Sequence, residues 1–319
     1  MPPKSRIVVA LGGNAISQPD EEGNVEQQFA NSQKTARALA DLARDGHQLV
    51  ITHGNGPQIG NFLLRNEAAA GVIYPLPMEV AAAHVQGGMG FMVAQTLTNE
   101  LARRGDTRIV TTVITTVLVD ADDPSFQNPT KPIGRVMDRQ EAERYRREEG
   151  WVFREIEPRR FRRVVPSPEP KHIQEIETIR RAVDAGDIIV ACGGGGIPVV
   201  RKADGSLTGT AAVIDKDLAG ALMATELEAD GFMVLTNVDR VRLNFGRTDE
   251  RAVDRMSIAE ARAYLTEGQF PPGSMGPKVR GLIEFLEVSA SPTAFALIGP
   301  LDGVTEAVAG RAGTRITRT

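Results

Sequence analysis

The sequence predicts an α/β fold: a three-layer αβα sandwich around a mostly parallel sheet, with a small protruding flap subdomain. Short apolar runs recur along the chain, and amphipathic helical stretches separate most of them. Continuous apolar runs are typical of strands buried on both faces of a parallel sheet. Several of these runs are followed by glycine-rich turns, whose backbone N–H groups can surround an anion.

The strand-like runs are the most regular part of the pattern. In chain order they cover residues 7–11, 48–52, 109–119, 188–191, 232–236 and 294–298. Helix signals lie between them: Ser32 is the predicted N-cap of a helix that stops near Gly46. Asp215 precedes an apolar helical run, so the Asp215-Lys216-Asp217 segment is expected at a helix N-terminus. Helical spacing over 279–288 places Lys278 at the start of another helix.

Residues 120–170 interrupt this pattern with frequent prolines and with arginines interleaved with glutamates. The glutamates neutralise much of the positive charge, which favours a solvated insertion over a nucleic-acid surface. We call this segment the flap and expect it to protrude from the main sheet. The proline-rich stretch 166–170 is predicted to be its stiff return linker.

The segment 78–97 is rich in alanine but contains Gly87, Gly88 and Gly90. Because a glycine inside a helix costs about 1 kcal/mol relative to alanine, these glycines indicate close packing against another surface. That surface is either a dimer partner or the strand beneath the helix.

Composition excludes several classes of protein. The chain has 319 residues, 41% of them hydrophobic, and a formal net charge of -4; its pI near 5.7 has the wrong sign for a general nucleic-acid binder. No apolar stretch approaches the roughly 20 residues of a membrane span. The single cysteine, Cys192, excludes an internal disulfide, and the first residues lack a signal-peptide pattern, so a cytoplasmic protein is expected.

The candidate catalytic residues are lysines that lie beside proline, glycine or aspartate residues. Walker A, dinucleotide-binding, HExxH, CxxC and GxSxG motifs are absent from the sequence. Lys131 and Lys278 are flanked by prolines and glycines, and Lys216 lies between two aspartates. Phosphoryl transfer requires positioned positive charge more than covalent chemistry, and lysine supplies such charge. His53, beside Gly54, either supports its turn by hydrogen bonding or acts directly.

Seven motifs in colinear order resemble those of one family. They are Ala10-Leu11-Gly12-Gly13-Asn14-Ala15, Thr52-His53-Gly54-Asn55-Gly56-Pro57-Gln58, Asn128-Pro129-Thr130-Lys131-Pro132-Ile133-Gly134, Ala191-Cys192-Gly193-Gly194-Gly195-Gly196-Ile197-Pro198, Val213-Ile214-Asp215-Lys216-Asp217, Leu235-Thr236-Asn237-Val238-Asp239 and Phe270-Pro271-Pro272-Gly273-Ser274-Met275-Gly276-Pro277-Lys278. Over nearly its whole length the chain resembles the carbamate kinases, a branch of the amino-acid kinase superfamily.

The resemblance implies a cytoplasmic homodimer that transfers phosphate between ATP and carbamate with Mg²⁺, often in the direction of ATP synthesis. It implies an acceptor lobe over residues 1–200, which includes the flap, and a nucleotide lobe over 201–319. The substrate-binding residues implied are Gly12, Gly13, Asn14, Gly54, Asn55 and Gly56. The implied catalytic residues are Lys131, Lys216, Asp215 and Lys278, and the implied nucleotide-binding residues are Asn237, Val238, Asp239, Met275 and Lys278. No residue is expected to form a dedicated metal site.

One departure separates this branch from its relatives. Many amino-acid kinases resemble one another in a lysine just before the first glycine turn, where this chain has Ala10 and Leu11. We hypothesise that Lys131 of the flap supplies the missing charge. Two alternatives remain: an amino-acid kinase with a larger acyl acceptor, which ordinarily calls for an added arginine, and a nucleotide-sensing protein without catalysis.

Overall fold

The computed structural model describes residues 5–18 and 20–319, apart from the side chain of Asn14. The strands are β1 (Arg6–Leu11), β2 (Gln48–His53), β3 (Val110–Thr112), β4 (Thr116–Val119), β5 (Lys131–Met137), β6 (Val152–Glu157), β7 (Arg160–Val165), β8 (Pro170–Ile173), β9 (Ile188–Val190), β10 (Ile197–Arg201), β11 (Leu207–Gly209), β12 (Gly231–Thr236), β13 (Val241–Leu243), β14 (Arg251–Val253), β15 (Arg255–Ser257), β16 (Phe295–Pro300) and β17 (Thr314–Thr317). The helices are α1 (Val25–Arg44), α2 (Gly56–Ala69), α3 (Met78–Arg103), α4 (Arg139–Glu149), α5 (Ile176–Asp184), α6 (Lys216–Glu226), α7 (Ile258–Thr266), α8 (Met275–Val288) and α9 (Val304–Val308).

The central sheet has the strand order β15-β17-β16-β12-β1-β2-β9-β3. Its neighbouring strands are parallel except for β16 and β17. Alternate residues of β1 face opposite layers, as the period of a strand requires. Ile7 and Val9 pack with α1, α3 and α9, whereas Val8 and Ala10 pack with α5 to α8. The three-layer sandwich around a mostly parallel sheet is therefore confirmed.

The expected single strand over 109–119 is wrong. The chain forms β3 in the central sheet and then β4, which belongs to a second sheet of order β11-β10-β4-β8. Between the two strands the Thr115 amide donates to Gln86 Oε1 of α3 at 2.6 Å, so a helix side chain replaces the neighbouring strand as its partner. A continuous run of β-branched residues hides this change of sheet.

The start of α1 also differs from expectation. The N-cap is Asn24, which exchanges reciprocal hydrogen bonds with Gln27, whereas Ser32 is buried inside the helix. Because the first turns of α1 lack an apolar face, the spacing of apolar residues predicted a helix start later than the observed one. The expected end is confirmed, because Gly46 follows the helix with φ of 87°. Asp215 is the N-cap of α6, as predicted.

The flap contains a three-stranded antiparallel sheet, β5-β7-β6, and α4. A small core of Met137, Ala142, Phe153 and Phe161 joins the sheet to the helix. These elements occupy residues 131–165, inside the predicted insertion. The division into two lobes near residue 200 stays a prediction, because the central sheet takes strands from both halves.

The glycines of α3 have different surroundings. A Cβ on Gly90 would lie 2.3 Å from Thr112 Cγ2, so this glycine allows α3 to pack directly on β3. A Cβ on Gly88 would meet nothing within 4 Å. The strand beneath thus explains Gly90 but not Gly88. Within residues 5–18 and 20–319, no helix is long and apolar enough to cross a membrane.

Candidate active site

The candidate site lies at the carboxyl ends of β1 and β2, where the first two glycine turns meet. The Gly12 amide donates to Leu235 O of β12 at 2.8 Å, and the Gly54 amide donates to Leu11 O at 3.1 Å. A Cβ on Gly54 would lie 3.3 Å from the Gly13 nitrogen and from Lys216 Cε. The absent side chain of Gly54 therefore lets two turns and a lysine approach each other closely.

These hydrogen bonds refine the predicted substrate-binding set. The N–H groups of Gly12 and Gly54 are used within the sheet, so neither is free to bind an anion. In the described part of the chain, the amides of Gly13, Asn55 and Gly56 have no acceptor. Asn55 and Gly56 form the N-terminus of α2, where free amides and the helix dipole favour an anion. The side chain of Asn14 lies outside the described residues, and its role stays a prediction.

A cleft of about 250 Å³ opens at these turns. It brings together the three predicted lysines from segments far apart in sequence. Its walls are formed by Gly13, Gly54, Asn55, Gly56, Pro57, Ile59, Lys131, Pro132, Ile133, Arg162, Gly194, Val213, Ile214, Asp215, Lys216, Asp217, Gly273, Ser274 and Lys278. Lys131 enters from β5 of the flap, whereas Lys216 and Lys278 come from the first turns of α6 and α8.

Asp215 combines two roles that the sequence allowed. Its Oδ1 accepts a hydrogen bond from the Asp217 amide at 2.9 Å, which caps α6. Its Oδ2 accepts one from Lys131 Nζ at 2.7 Å. The N-cap of α6 therefore also holds the flap lysine at the cleft.

Asp217 is a site residue that the predicted set lacks. Its side chain, only 4% exposed, is shared by Lys216 and Lys278, and Lys278 Nζ lies 2.8 Å from Asp217 Oδ2. Burial opposes its ionisation, but the two lysines outweigh burial and hold the pKa of the Asp217 carboxyl below its ordinary value. The signal was present in the Asp215-Lys216-Asp217 segment. The sequence does not show, however, that the second aspartate also reaches Lys278.

Lys216 is held in an environment that disfavours its charge. Burial lowers the pKa of the Lys216 ammonium, Asp217 opposes that effect, and the positive charge of Lys278 adds to it. The pKa of Lys216 is therefore lowered overall. The charge of Lys216 thus depends on Asp217 and on any anion bound in the cleft.

Arg162 is the second residue that the sequence analysis missed. It lies on β7 of the flap and lines the cleft. Its Nε donates to Gly134 O at 3.1 Å, and none of the ion pairs among the described residues includes it. No local signal distinguished it from the other arginines of the flap.

The four-glycine turn after β9 supports the acceptor side. Gly194 has φ of +67°, and a Cβ there would lie 2.0 Å from Asn55 Nδ2. His53 is fully buried beneath this turn, and burial lowers its pKa to about 4, with a smaller effect from Lys216. His53 Nδ1 lies 3.2 Å from Gly54 O. Because a carbonyl only accepts, the neutral ring carries its proton on Nδ1. This hydrogen bond agrees with support of the Gly54 turn by His53, and the role of His53 stays a prediction.

Of the predicted nucleotide-binding residues, only Lys278 is among those that line this cleft with the other lysines. Val238 and Met275 pack against the core on the α8 side. Asn237 lines a separate cleft of about 320 Å³ beside α1, and Asp239 is 3.3 Å from Arg242. Their nucleotide roles stay predictions.

Comparison with known proteins agrees with this architecture. Residues 5–296 match the sequence profile of the Amino acid kinase family. The chain belongs to this family. Among its amino acid kinase relatives, a Carbamate kinase of Pyrococcus furiosus is 46% identical over 98% of both chains. A Carbamate kinase of Thermococcus kodakarensis is 45% identical over 98% of this chain and 99% of its own. The solved structure of Carbamate kinase from Giardia lamblia bound to AMP-PNP is 38% identical, covers 99% of both chains and has a TM-score of 0.92.

Proposed function

We propose that this chain catalyses reversible phosphoryl transfer between ATP and carbamate, giving ADP and carbamoyl phosphate. One observation carries the proposal: lysines from the flap, α6 and α8 converge on one cleft beside the anion-binding start of α2. Transferring a phosphoryl group requires an in-line arrangement and neutralisation of its spread negative charge. Three lysines supply positive charge for such a group, and the free backbone amides beside them supply hydrogen-bond donors that can hold it.

Each polar residue of the cleft has a distinct task in this proposal. Lys131, Lys216 and Lys278 neutralise charge on the migrating group and on the nucleotide phosphates. The amides of Gly13, Asn55 and Gly56 hold the small acceptor. Asp215 and Asp217 hold the lysines, because each carboxylate accepts from at least one ammonium.

The small size of the cleft supports carbamate as the acceptor. Carbamate has no side chain, so short turns and a cleft of about 250 Å³ suffice for it. Arg162 is a cation that a second carboxylate could use, and the assay therefore includes larger acceptors.

We propose that Mg²⁺ enters with the nucleotide and is held mainly by its phosphates. The two carboxylates of the cleft fit this role poorly as ligands, because Asp215 pairs with Lys131 and Asp217 with two lysines. In the described residues, no group of three or more His, Cys, Asp or Glu side chains is placed to hold a metal. When bound, the ion would neutralise phosphate charge and help to align the transfer.

We further propose that the protein is a cytoplasmic homodimer and that it catalyses the reaction mainly in the direction of ATP synthesis. Helical spacing places the exposed Val80 and Phe91 on the same face of α3 as the open Gly88, and Phe91 is 56% exposed. Such a face suits a second copy of the chain. Light scattering of wild type and Phe91→Glu tests it, because the charge is expected to reduce the mass to that of one chain.

The activity is tested by coupled ATP formation from MgADP and carbamoyl phosphate. Acetylglutamate, glutamate and aspartate serve as competing acceptors in the reverse direction with ATP. We expect ATP formation from MgADP and carbamoyl phosphate, and no transfer from ATP to the three larger acceptors. The control Lys202→Ala, which removes an exposed lysine, should have normal turnover. Transfer to a larger acceptor would replace carbamate in the proposal. Nucleotide binding without transfer would contradict catalysis altogether.

A further inference from the structure

The flap rests on α2, the helix whose N-terminus forms the acceptor side of the cleft. Ile133 of β5 is buried in the same cluster as Ile59 and Leu63 of α2. A Cβ on Gly60 would lie 3.5 Å from Gly134 Cα, so the two backbones are in close contact. The base of the flap therefore packs on α2 through small and apolar groups, which are compatible with sliding or tilting.

A polar contact joins the same two elements farther along α2. Glu67 is the only acidic residue of α2. Its Oε2 accepts from Tyr145 Oη at 3.5 Å and lies 3.9 Å from Arg135 Nε, and both partners belong to the flap. The Glu67 side chain is 20% exposed. Burial raises the pKa of its carboxyl, while Arg135 and Arg163 oppose that effect. A partly buried carboxylate thus faces three polar groups of the flap.

This contact lies on the strand that carries the flap lysine. Arg135 lies four residues after Lys131 on the same strand, β5. Lys131 Nζ reaches Asp215 of the main body at 2.7 Å. β5 is irregular between Ile133 and Val136, but it pairs with β7 on both sides of that irregularity. A tilt of the flap sheet at Arg135 therefore also displaces Lys131.

We propose that Glu67 is a positioning residue that docks the flap on α2 and thereby holds Lys131 over the cleft. The proposal rests on the function proposed above for Lys131. Glu67 is not among the residues that line the cleft, and no ion pair between described residues joins it to Lys216 or Lys278. Its effect is expected on the binding of the transferred group more than on the nucleotide.

The chain contains its own reporter of this contact. Trp151 is the only tryptophan of the sequence. Its ring stacks on Tyr145 with centroids 4.5 Å apart, and the Arg163 guanidinium lies 3.8 Å from its centroid on the flap. Tyr145 therefore touches both Glu67 and the fluorophore, so undocking of the flap is expected to change the emission of Trp151.

The test compares Glu67→Gln with Glu143→Gln. Glu143 is an exposed flap carboxylate whose partner, Arg146, lies on the same helix. Loss of one charged hydrogen-bonding partner predicts a rise of about 10-fold in KM for carbamoyl phosphate in Glu67→Gln, with KM for ADP nearly unchanged. Trp151 emission is expected to shift in Glu67→Gln and to stay at the wild-type value in Glu143→Gln. Tyr145→Phe, which keeps the ring, is expected to raise the same KM by a smaller factor.

Wild-type KM values and emission in folded Glu67→Gln would overturn the proposal. Equal changes in Glu67→Gln and Glu143→Gln would also overturn it, because they would reflect only the charge of the flap. Lys131→Ala separates this failure from failure of the proposed function. Near-normal turnover in Lys131→Ala would refute the role of the lysine, whereas an inactive Lys131→Ala beside a normal Glu67→Gln would refute the docking role alone.

Discussion

Replacing Asp217 by asparagine removes the one carboxylate shared by two site lysines. The Asp217 Oδ2 to Lys278 Nζ distance is 2.8 Å, which corresponds to about 6 kcal/mol of attraction at an effective dielectric constant of about 20. Desolvation offsets part of it, and breaking a buried pair from one side typically costs about 3–5 kcal/mol. We therefore expect Asp217→Asn to lower the free energy of unfolding by that amount, with a fall in Tm of roughly 5–7 °C.

The same substitution is expected to change the pH dependence of activity. Asp217 opposes the burial that lowers the pKa of Lys216, so its loss lowers that pKa further. The charged form of Lys216 then persists only at lower pH. The alkaline limb of the kcat/KM profile, which reports the free enzyme, should therefore move to lower pH.

The assay is ATP formation across the pH range, together with thermal unfolding. Asp204→Asn is the matched control, because Asp204 is an exposed turn residue that accepts hydrogen bonds from Ser206. We expect Asp204→Asn to keep the wild-type profile. An unchanged alkaline limb and an unchanged Tm in Asp217→Asn would refute the reasoning from the shared carboxylate.

Three further outcomes are expected. Lys131→Ala should lower turnover by about 100-fold or more while ADP affinity, measured by calorimetry, stays nearly intact; near-normal turnover would contradict this. Gly194→Ala would place a Cβ 2.0 Å from Asn55 Nδ2, so this variant should lose most of its activity and stability. Its control is Gly205→Ala, at φ +84°, where a Cβ meets open space. The control should lose only about 1 kcal/mol of unfolding free energy, measured by urea unfolding. The pKa of His53 falls from 6.5 to about 4 on folding. The unfolded chain therefore binds more protons between these values, and stability should fall by about 3 kcal/mol as pH drops through this window; a His53→Gln variant with the same loss would refute that assignment.

Local patterns predicted the layers of the fold well but not every boundary. Buried strands such as β1 and β12 are continuous apolar runs, and their chemistry alone requires a sheet covered on both faces. The break between β3 and β4 escaped prediction because its cause, the side chain of Gln86, comes from another element. The start of α1 escaped because its capping box precedes the apolar face.

The candidate site divides in the same way. The sequence pointed to the three lysines and to Asp215 through their unusual neighbours. It did not reveal that Asp217 contacts a lysine 61 residues away, nor that Arg162 faces the cleft while Arg163 covers Trp151. Adjacent residues of a strand point to opposite sides, so only the placement of the flap sheet decides which arginine reaches the cleft.

The sequence by itself determined the sandwich, the glycine turns and the lysines that enter the cleft, because periodicity, turn chemistry and charge act over a few neighbouring residues. The tertiary structure alone decided which amides stay free. Gly12 and Gly54 donate within the sheet, whereas Gly13 and Gly56 remain free of acceptors in the described part of the chain. It also decided which carboxylate each lysine shares, because hydrogen-bond partners from distant segments are fixed only when strands and helices pack together.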